Sequence, residues 1–465
     1  MRIQLFGQHV HLSILGLAAV EAAICFGAPF LAIQLRFLGG VDPETYADFT
    51  GGAVIFSLSM LVSMTAMGLY ASQQRARTGG TALRLVGAAI VAFLVLAVVV
   101  YLFPDIAFGR GVLGWTVLIA IVGCFIVRML FMHTINEDAM KRRVLIYGAG
   151  KRAEAFMQLR RRTDRRGFLV AGFVSADEDE ILVPRDKLIA VNEKTLYHVV
   201  RERGVTEVVV AVDDRRKKFP VEDLLNCRLR GINVIDIVSF LERETGKVRI
   251  DMLSPSWLIF SGGFRRDPLR EGAERVFDVF VSIVLLAITW PIAVLAWLAI
   301  KLEDGWSAPA FYTQERVGLE GKIFTLKKFR SMRIDAEQAG KAAWASENDP
   351  RVTRVGRFIR KTRVDELPQL LNVLAGDMCF VGPRPERPQF VDLFCERIPY
   401  YRDRHWVKPG ITGWAQLCYP YGSSERDAKE KLQYDLYYVK HRNLMFDLFI
   451  LLETAEVILW GRGAR

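Results

Sequence analysis

Apolar residues gather in four long runs within the first 132 residues, at 12–35, 53–71, 85–103 and 112–132. Each approaches or exceeds the roughly 20 residues that cross a hydrocarbon core, and four so close together argue against buried helices of a soluble bundle. The first run is too long for a signal-peptide core and no small-residue cleavage site follows, so it is expected to stay as a transmembrane helix. Glu21 inside it is costly in lipid and is expected to face another helix. Arg75, Arg77 and Arg84 follow the second run and Lys141, Arg142 and Arg143 follow the fourth, whereas the stretches carrying Asp42, Glu44 and Asp48, and Asp105, hold few cations. The positive-inside rule then puts both ends of this bundle on the cytoplasmic face.

Beyond residue 133 the pattern changes. The apolar stretch 143–147 runs into Gly148-Ala149-Gly150-Lys151-Arg152-Ala153, followed by a helical pattern over 154–161; further strand candidates lie at 169–174, 207–212 and 233–237, with helical stretches between the last two pairs. Alternating strands and helices predict a parallel, Rossmann-like sheet. Gly148 and Gly150 would let a phosphate approach a helix N-terminus, and Asp177 is the candidate acidic ribose ligand. The motif leaves two readings open, a nucleotide site and a structural or regulatory Rossmann-like domain.

A fifth run, 276–300, contains Asp278 near its start and Thr289-Trp290-Pro291 in its middle. Pro291 cannot donate to the carbonyl of Ala287, so a kink or break is expected there, with Thr289 as a local partner for the freed backbone. Cations flank both ends: Arg265, Arg266, Arg270 and Arg275 before, Lys301, Arg316, Lys322, Lys327, Lys328 and Arg330 after. Both flanks therefore prefer the cytoplasmic side, which a re-entrant helix–break–helix satisfies. The last apolar run, 444–460, includes Asp447, Glu453 and Glu456 and reads as an interfacial or packed amphipathic helix.

The chain has 465 residues, 51% hydrophobic and 24% charged, which excludes disorder for most of it. Its 62 Lys and Arg against 51 Asp and Glu give +11, suited to a phosphorylated substrate or an acidic membrane surface. The charge lies beside membrane segments without a nucleic-acid-binding pattern, so no nucleic acid is expected. The six cysteines have neither metal nor redox spacing and read as reduced thiols.

Candidate chemistry is concentrated after residue 300. Lys327-Lys328-Phe329-Arg330-Ser331-Met332 comes first; Arg360-Lys361-Thr362-Arg363-Val364-Asp365-Glu366-Leu367-Pro368-Gln369-Leu370 follows; then come Val381-Gly382-Pro383-Arg384-Pro385-Glu386 and 407–416. Adjacent carboxylates among arginines, next to a membrane segment, fit a site for phosphate and a divalent ion. Mg²⁺ is favoured because it uses one or two carboxylates plus substrate phosphates, and arginine offers phosphate a planar fork of donors.

Residues 274–464 resemble the bacterial sugar transferase family, the monotopic phosphoglycosyl transferases. The resemblance rests on Arg275-Val276-Phe277-Asp278, the proline-broken helix, Gln314-Glu315-Arg316-Val317-Gly318, the Lys328 and Asp365 clusters, Val381-Gly382-Pro383-Arg384-Pro385, and Lys408-Pro409-Gly410-Ile411-Thr412-Gly413-Trp414-Ala415-Gln416. The whole chain resembles the long subgroup, the polyprenyl-phosphate hexose-1-phosphate transferases. The resemblance implies three parts: a four-helix transmembrane bundle at 1–133, an α/β Rossmann-like domain at 134–250, and an α/β monotopic catalytic domain at 251–465 with a re-entrant helix at 276–300. It implies transfer of a hexose-1-phosphate from a UDP-sugar to undecaprenyl phosphate at the bacterial inner membrane, releasing UMP, as the first membrane step of an exopolysaccharide, capsule or O-antigen repeat. Glucose or galactose is the expected sugar. Asp365 matches the nucleophile that forms a covalent phosphosugar, and Glu366 matches its Mg²⁺-linked partner, the metal pair being Asp365 and Glu366. Arg360 and Arg384 match phosphate- or nucleotide-contacting arginines, with Lys328 and Arg330 as further candidates. A homodimer is implied as well.

Two departures stand out. Many members carry Ser-Pro where this chain has Trp290-Pro291, and Val-Asn-Gly-Arg where it has Leu417-Cys418-Tyr419-Pro420. The arginine is missing there, and Arg426 is a candidate replacement. Two other readings compete. A membrane-anchored nucleotide-sugar dehydratase or epimerase requires a Tyr-x-x-x-Lys pair, which occurs in the middle segment only as Tyr147 and Lys151 within the glycine loop. A non-enzymatic polysaccharide-assembly scaffold would have no need of Asp365 and Glu366.

Overall fold

The computed structural model describes residues 2–5, 8–37, 43–70, 78–102, 110–134, 141–157, 159, 167–175, 180–190, 195–213, 219–253, 267–334, 349–420, 422 and 424–460. It divides into two compact units, Met1–Thr245 and Gly246–Arg465.

The first unit begins with a short antiparallel pair, β1 (Arg2–Leu5) and β2 (Gln8–His11). Four long helices follow: α1 (Leu12–Arg36), α2 (Pro43–Ala66), α3 (Thr78–Leu102) and α4 (Arg110–Thr134). All four are long and apolar enough to cross a membrane. Helix α1 packs on α2 and α4, and α3 on α2 and α4. Small residues let the backbones approach: Ala28 and Ala32 of α1, Ala53 of α2, Ala88 and Ala92 of α3 and Ala120 of α4 are wholly buried. Glu21 does face another helix. Its carboxylate lies 2.7 Å from Arg128 Nε of α4 and accepts a hydrogen bond from Tyr70 at 2.6 Å, while Arg128 donates to the Leu69 carbonyl at 2.8 Å. Each charge compensates the other where neither would be tolerated alone.

A parallel four-stranded sheet of order β4-β3-β5-β6 follows, built from β3 (Arg142–Tyr147), β4 (Phe168–Val174), β5 (Glu207–Val210) and β6 (Asn233–Asp236). Its helices are α5 (Lys151–Glu154), α6 (Leu196–Glu202), α7 (Val221–Leu229) and α8 (Ile237–Thr245). Where the sequence predicts a helix over 154–161, α5 ends at Glu154 and 155–157 form a turn that carries Phe156 onto Phe168 and Phe240; 158, 160 and 161 lie outside the described residues. Asp177 lies outside the described residues.

The second unit opens with α9 (Pro268–Asp304), capped by the Asp267 carboxylate, which accepts from the Leu269 amide. The helical run continues through Pro291 and does not break. Proline removes one backbone hydrogen bond and crowds one turn, and the remaining ladder carries the helix past it. The Thr289 hydroxyl donates to the Leu285 carbonyl at 2.7 Å, not to the carbonyl of Ala287. Next come an antiparallel hairpin, β7 (Phe311–Val317) and β8 (Ile323–Phe329), then α10 (Arg354–Lys361), a 3₁₀ turn at Val364–Glu366, and α11 (Gln369–Ala375). The short parallel pair β9 (Cys379–Val381) and β10 (Gly410–Thr412) brackets α12 (Pro388–Arg397). The unit ends with α13 (Trp414–Cys418), α14 (Glu425–His441) and α15 (Leu444–Trp460). As the sequence predicts, α15 packs against the fold: Val381 and Ile450 share one apolar core, and Asp447 accepts from Tyr438 at 2.8 Å.

Helix α9 is tied to this unit at both ends. Near its start, the Arg275 guanidinium donates to the last carbonyls of α11, those of Val373 and Leu374, and Asp278 accepts from the Phe380 amide. Near its end, Glu303 accepts from the amides of Arg354 and Val355, Asp304 pairs with Arg330, and Ala296 and Ile300 pack on Phe329 and Ile359. Between these anchors the helix presents exposed Phe280, Ile288, Trp290 and Leu295.

Candidate active site

Strand β8 carries Lys328, and Arg330 follows two residues on, so both side chains emerge on one face. The strand is held on its free edge by Asn372 of α11, whose carboxamide accepts from the Lys327 amide at 3.0 Å and donates to the Thr325 carbonyl at 2.8 Å. A primary carboxamide is the side chain that can imitate a neighbouring strand, because it offers donor and acceptor together.

The Val364–Glu366 turn is entered through Arg363 in the left-handed conformation, φ 60°, a form that a non-glycine residue adopts only where its surroundings impose it. The turn places the two carboxylates in different surroundings. Asp365 is 8% exposed, and its Oδ1 is buried with no hydrogen-bond partner among the described residues. Burial raises its carboxyl, the charge of Glu366 adds to that, and Lys328, Arg363 and Arg360 oppose it. Glu366 Oε1 lies 3.2 Å from Lys328 Nζ and 3.7 Å from both Arg363 and Arg384. Burial works against its charge, yet these cations outweigh burial and hold its carboxyl at about 2.

Arg384 arrives from the loop after β9. Gly382 is required in that loop because a Cβ there would sit 2.4 Å from the Lys408 carbonyl. Arg404 donates to the Arg384 carbonyl at 2.9 Å and pairs with buried Asp435 at 2.8 Å. Arg384 also reaches the Gln416 side chain at 3.4 Å.

Asp365, Glu366, Lys328, Arg330, Arg360 and Arg384 all line one cavity of about 1420 Å³. The same cavity is lined by Arg316, Arg387, Gln416 and Lys431, which sequence reasoning did not single out as site residues. Arg316 stood inside a motif block that signalled it. Lys431 lies mid-helix with no motif; its ammonium donates to the Gly422 carbonyl at 2.8 Å and lines the cavity, whereas Arg426 does not. Thr289, Trp290 and Pro291 lie on α9 and do not line it.

The glycine loop of the first unit is filled from within. Asp213 accepts from the amides of Lys151 and Arg152, each at 2.8 Å, and a Cβ on Gly150 would meet its carboxylate at 2.2 Å. A Cβ on Gly148, at φ 131°, would lie 2.4 Å from the Ala211 carbonyl. These glycines therefore serve a close approach of this chain's own backbone and a carboxylate, which takes the amides a phosphate would use.

The second unit thus joins a long apolar helix to a cavity in which a carboxylate pair meets several guanidinium groups. The family model described as bacterial sugar transferase matches residues 269–461, and one described as CoA-binding domain matches residues 65–219. An undecaprenyl-phosphate glucose phosphotransferase of Komagataeibacter xylinus is 32% identical over 402 residues, covering 78% of this chain and 72% of that protein. An undecaprenyl-phosphate galactose phosphotransferase of Salmonella typhimurium is 29% identical over 395 residues, 81% of this chain and 80% of that protein. A UDP-N-acetylgalactosamine-undecaprenyl-phosphate N-acetylgalactosaminephosphotransferase of Aeromonas hydrophila is 41% identical over 242 residues, which is 52% of this chain and only 56% of that protein's length. The chain belongs to the bacterial sugar transferase family.

Proposed function

We propose that the chain transfers a hexose-1-phosphate from a UDP-sugar to undecaprenyl phosphate, releasing UMP, and so begins an exopolysaccharide, capsule or O-antigen repeat. The relatives named above act on undecaprenyl phosphate with a sugar donor, and the chain aligns with two of them over about four-fifths of its length. Glucose or galactose is the sugar this reading favours.

The observation that carries the mechanism is the contrast between Asp365 and Glu366. Asp365 lines the cavity, and its Oδ1 has no hydrogen-bond partner among the described residues, so no donor there competes for the lone pair that would attack. That oxygen would attack the sugar-bearing phosphorus; a new aspartyl–phosphorus bond forms, the bond to UMP breaks, and UMP leaves with the electron pair. Lys328, Arg360 and Arg384 would face the phosphate oxygens on which charge builds up. Glu366 holds Lys328 and Arg384 in place.

Mg²⁺ is part of this proposal. The unpartnered Asp365 oxygen and the adjacent Glu366 carboxylate fit an ion that takes one or two carboxylates and completes its shell with substrate phosphates. No group of three or more His, Cys, Asp or Glu among the described residues offers a self-sufficient cage. When bound, the ion supplies positive charge to the phosphate oxygens.

The same reading places α9 as a re-entrant element and the site on the cytoplasmic face of the inner membrane. A straight helix would hold Arg275 and Glu303 about 42 Å apart; both are anchored to one unit, and a bend at Pro291 within the continuous run would let the segment dip in and return. A helix that crossed the bilayer would carry one of those anchors to the far side. A homodimer rests on resemblance alone.

The test is transfer from radiolabelled UDP-sugars to undecaprenyl phosphate by nanodisc-held protein with Mg²⁺. Asp365→Asn and Glu366→Gln should abolish product; normal turnover in both would refute the assignment.

A further inference from the structure

We infer that Arg330 is the anchor for the phosphate of the lipid acceptor, a separate subsite from the donor's; this rests on the transfer reading above. The Arg330 side chain is 6% exposed and lines the cavity. Its Nη2 pairs with Asp304 at 2.7 Å, and its Nε and Nη1 are buried without a partner among the described residues. Unpaired donors on a buried charge cost about 1–3 kcal/mol or more. Nη2 is held by Asp304, so Nε and Nη1, which lie on different edges of the guanidinium, are left as two single charge-assisted donors for a phosphate at the cavity that Arg330 lines.

The tethers of Arg330 say which phosphate. Asp304 is the last residue of the apolar helix α9, and the Arg330 amide donates to the Ala310 carbonyl at 2.9 Å, just beyond it. Exposed Leu302 and Trp306, the latter 64% exposed, lie in the same stretch. Arg330 is thus fixed to the end of the element that enters the lipid, where a phosphate whose chain stays in the bilayer must present itself. Lys328 is about 7 Å back along the strand, and it faces Glu366 instead. A phosphate on Arg330 can then be turned toward a phosphosugar on Asp365. Its oxygen attacks that phosphorus, a P–O–P bond forms, and the aspartyl oxygen leaves as carboxylate; with the acceptor entering as a dianion, no proton is required.

The experiment uses full-length protein in nanodiscs with Mg²⁺, as Arg330→Lys and as Asp304→Asn, the latter leaving the guanidinium in place but loosening it. One arm measures the UMP burst with donor alone; the other measures transfer at varied undecaprenyl phosphate. Arg330→Lys should raise the KM for undecaprenyl phosphate about tenfold or more, as loss of a charge-assisted contact does, and Asp304→Asn about threefold by loosening the same contact. The donor KM and the donor-alone burst should stay within about twofold of the parent in Asp304→Asn, a change too small for a lost charged contact. An unchanged acceptor KM in both variants, or a burst that falls as far as transfer does, overturns the inference. A parent that gives no burst refutes the covalent intermediate instead, and the acceptor KM still judges Arg330.

Discussion

Asp365 and Glu366 are neighbours in sequence, yet one keeps an oxygen with no partner among the described residues while the other draws Lys328, Arg363 and Arg384 onto a single oxygen. Their removal should therefore have opposite effects on stability. Asp365→Asn deletes a charge that burial and Glu366 both oppose, and should raise stability by about 1 kcal/mol while activity is lost. Glu366→Gln leaves Lys328 and Arg384 facing one another without their counter-charge and should lower stability by about 1–3 kcal/mol. Melting curves of detergent-held protein at pH 7 decide this. Two midpoints that fall together would mean that Asp365 has a native partner.

The carboxamide of Asn372 should matter through Lys328. Asn372→Asp loses the donor to the Thr325 carbonyl and sets a carboxylate against it, which frees the strand that presents Lys328. We expect kcat to fall about tenfold, the effect of misplacing one charged contact. In a Lys328→Met background the same change should cost less than about threefold, because coupled residues are not additive. Equal losses in both backgrounds would assign Asn372 a purely structural role.

The residues that pair locally were legible in the sequence, and those that pair at long range were not. The apolar runs announced α1 to α4 because lipid demands a long apolar stretch, and alternation of strands with helices announced the parallel sheet. Asp365 and Glu366 were visible beside Arg360 and Arg363, and Lys328 and Arg384, distant in sequence, were named through the family resemblance. By contrast, Arg128 is 107 residues from Glu21 and Asp213 is 62 residues from Lys151. Nothing in the local pattern ties such pairs together. Lys431 was hidden for the same reason, since only folding brings α14 to the cavity wall. Pro291 was read by a local rule as a kink or break, and the rest of the helix's hydrogen bonds carry the helical run past it.

The glycine loop gives a prediction for the first unit. Because Asp213 already occupies the amides of Lys151 and Arg152, dinucleotides and coenzyme A at about 1 mM should leave the parent's melting midpoint unchanged, as ligands that do not bind the native state must. Asp213→Ala should lower stability by about 0.5–2 kcal/mol, the usual effect of removing a carboxylate cap. A nucleotide that raises the parent midpoint would restore this loop as a binding site.

The last prediction concerns acid. His405 is buried; burial first, and then the Arg404 charge, hold its imidazole down to about 3, against a hydrogen bond to the Arg402 carbonyl that favours the proton. Its folded value thus lies below its unfolded value of about 6.5. The stability it contributes is fully present above pH 6.5 and is lost as pH falls from 6.5 toward 3, by about 2 kcal/mol at pH 5. Asp435, reached through Arg404, works in the other sense: burial raises its carboxyl to about 6, so the folded state takes up that proton more readily and gains stability as pH falls through 6. The two partly cancel in the parent, and His405→Gln separates them. The variant should be weaker than the parent at pH 8, where it has only lost packing, and the gap should narrow by about 2 kcal/mol at pH 5, where the unfolded parent alone gains a proton that its buried imidazole does not take up. Urea midpoints at the two pH values measure this gap. A gap of the same size at both would show that His405 takes up its proton as readily in the folded state as in the unfolded one.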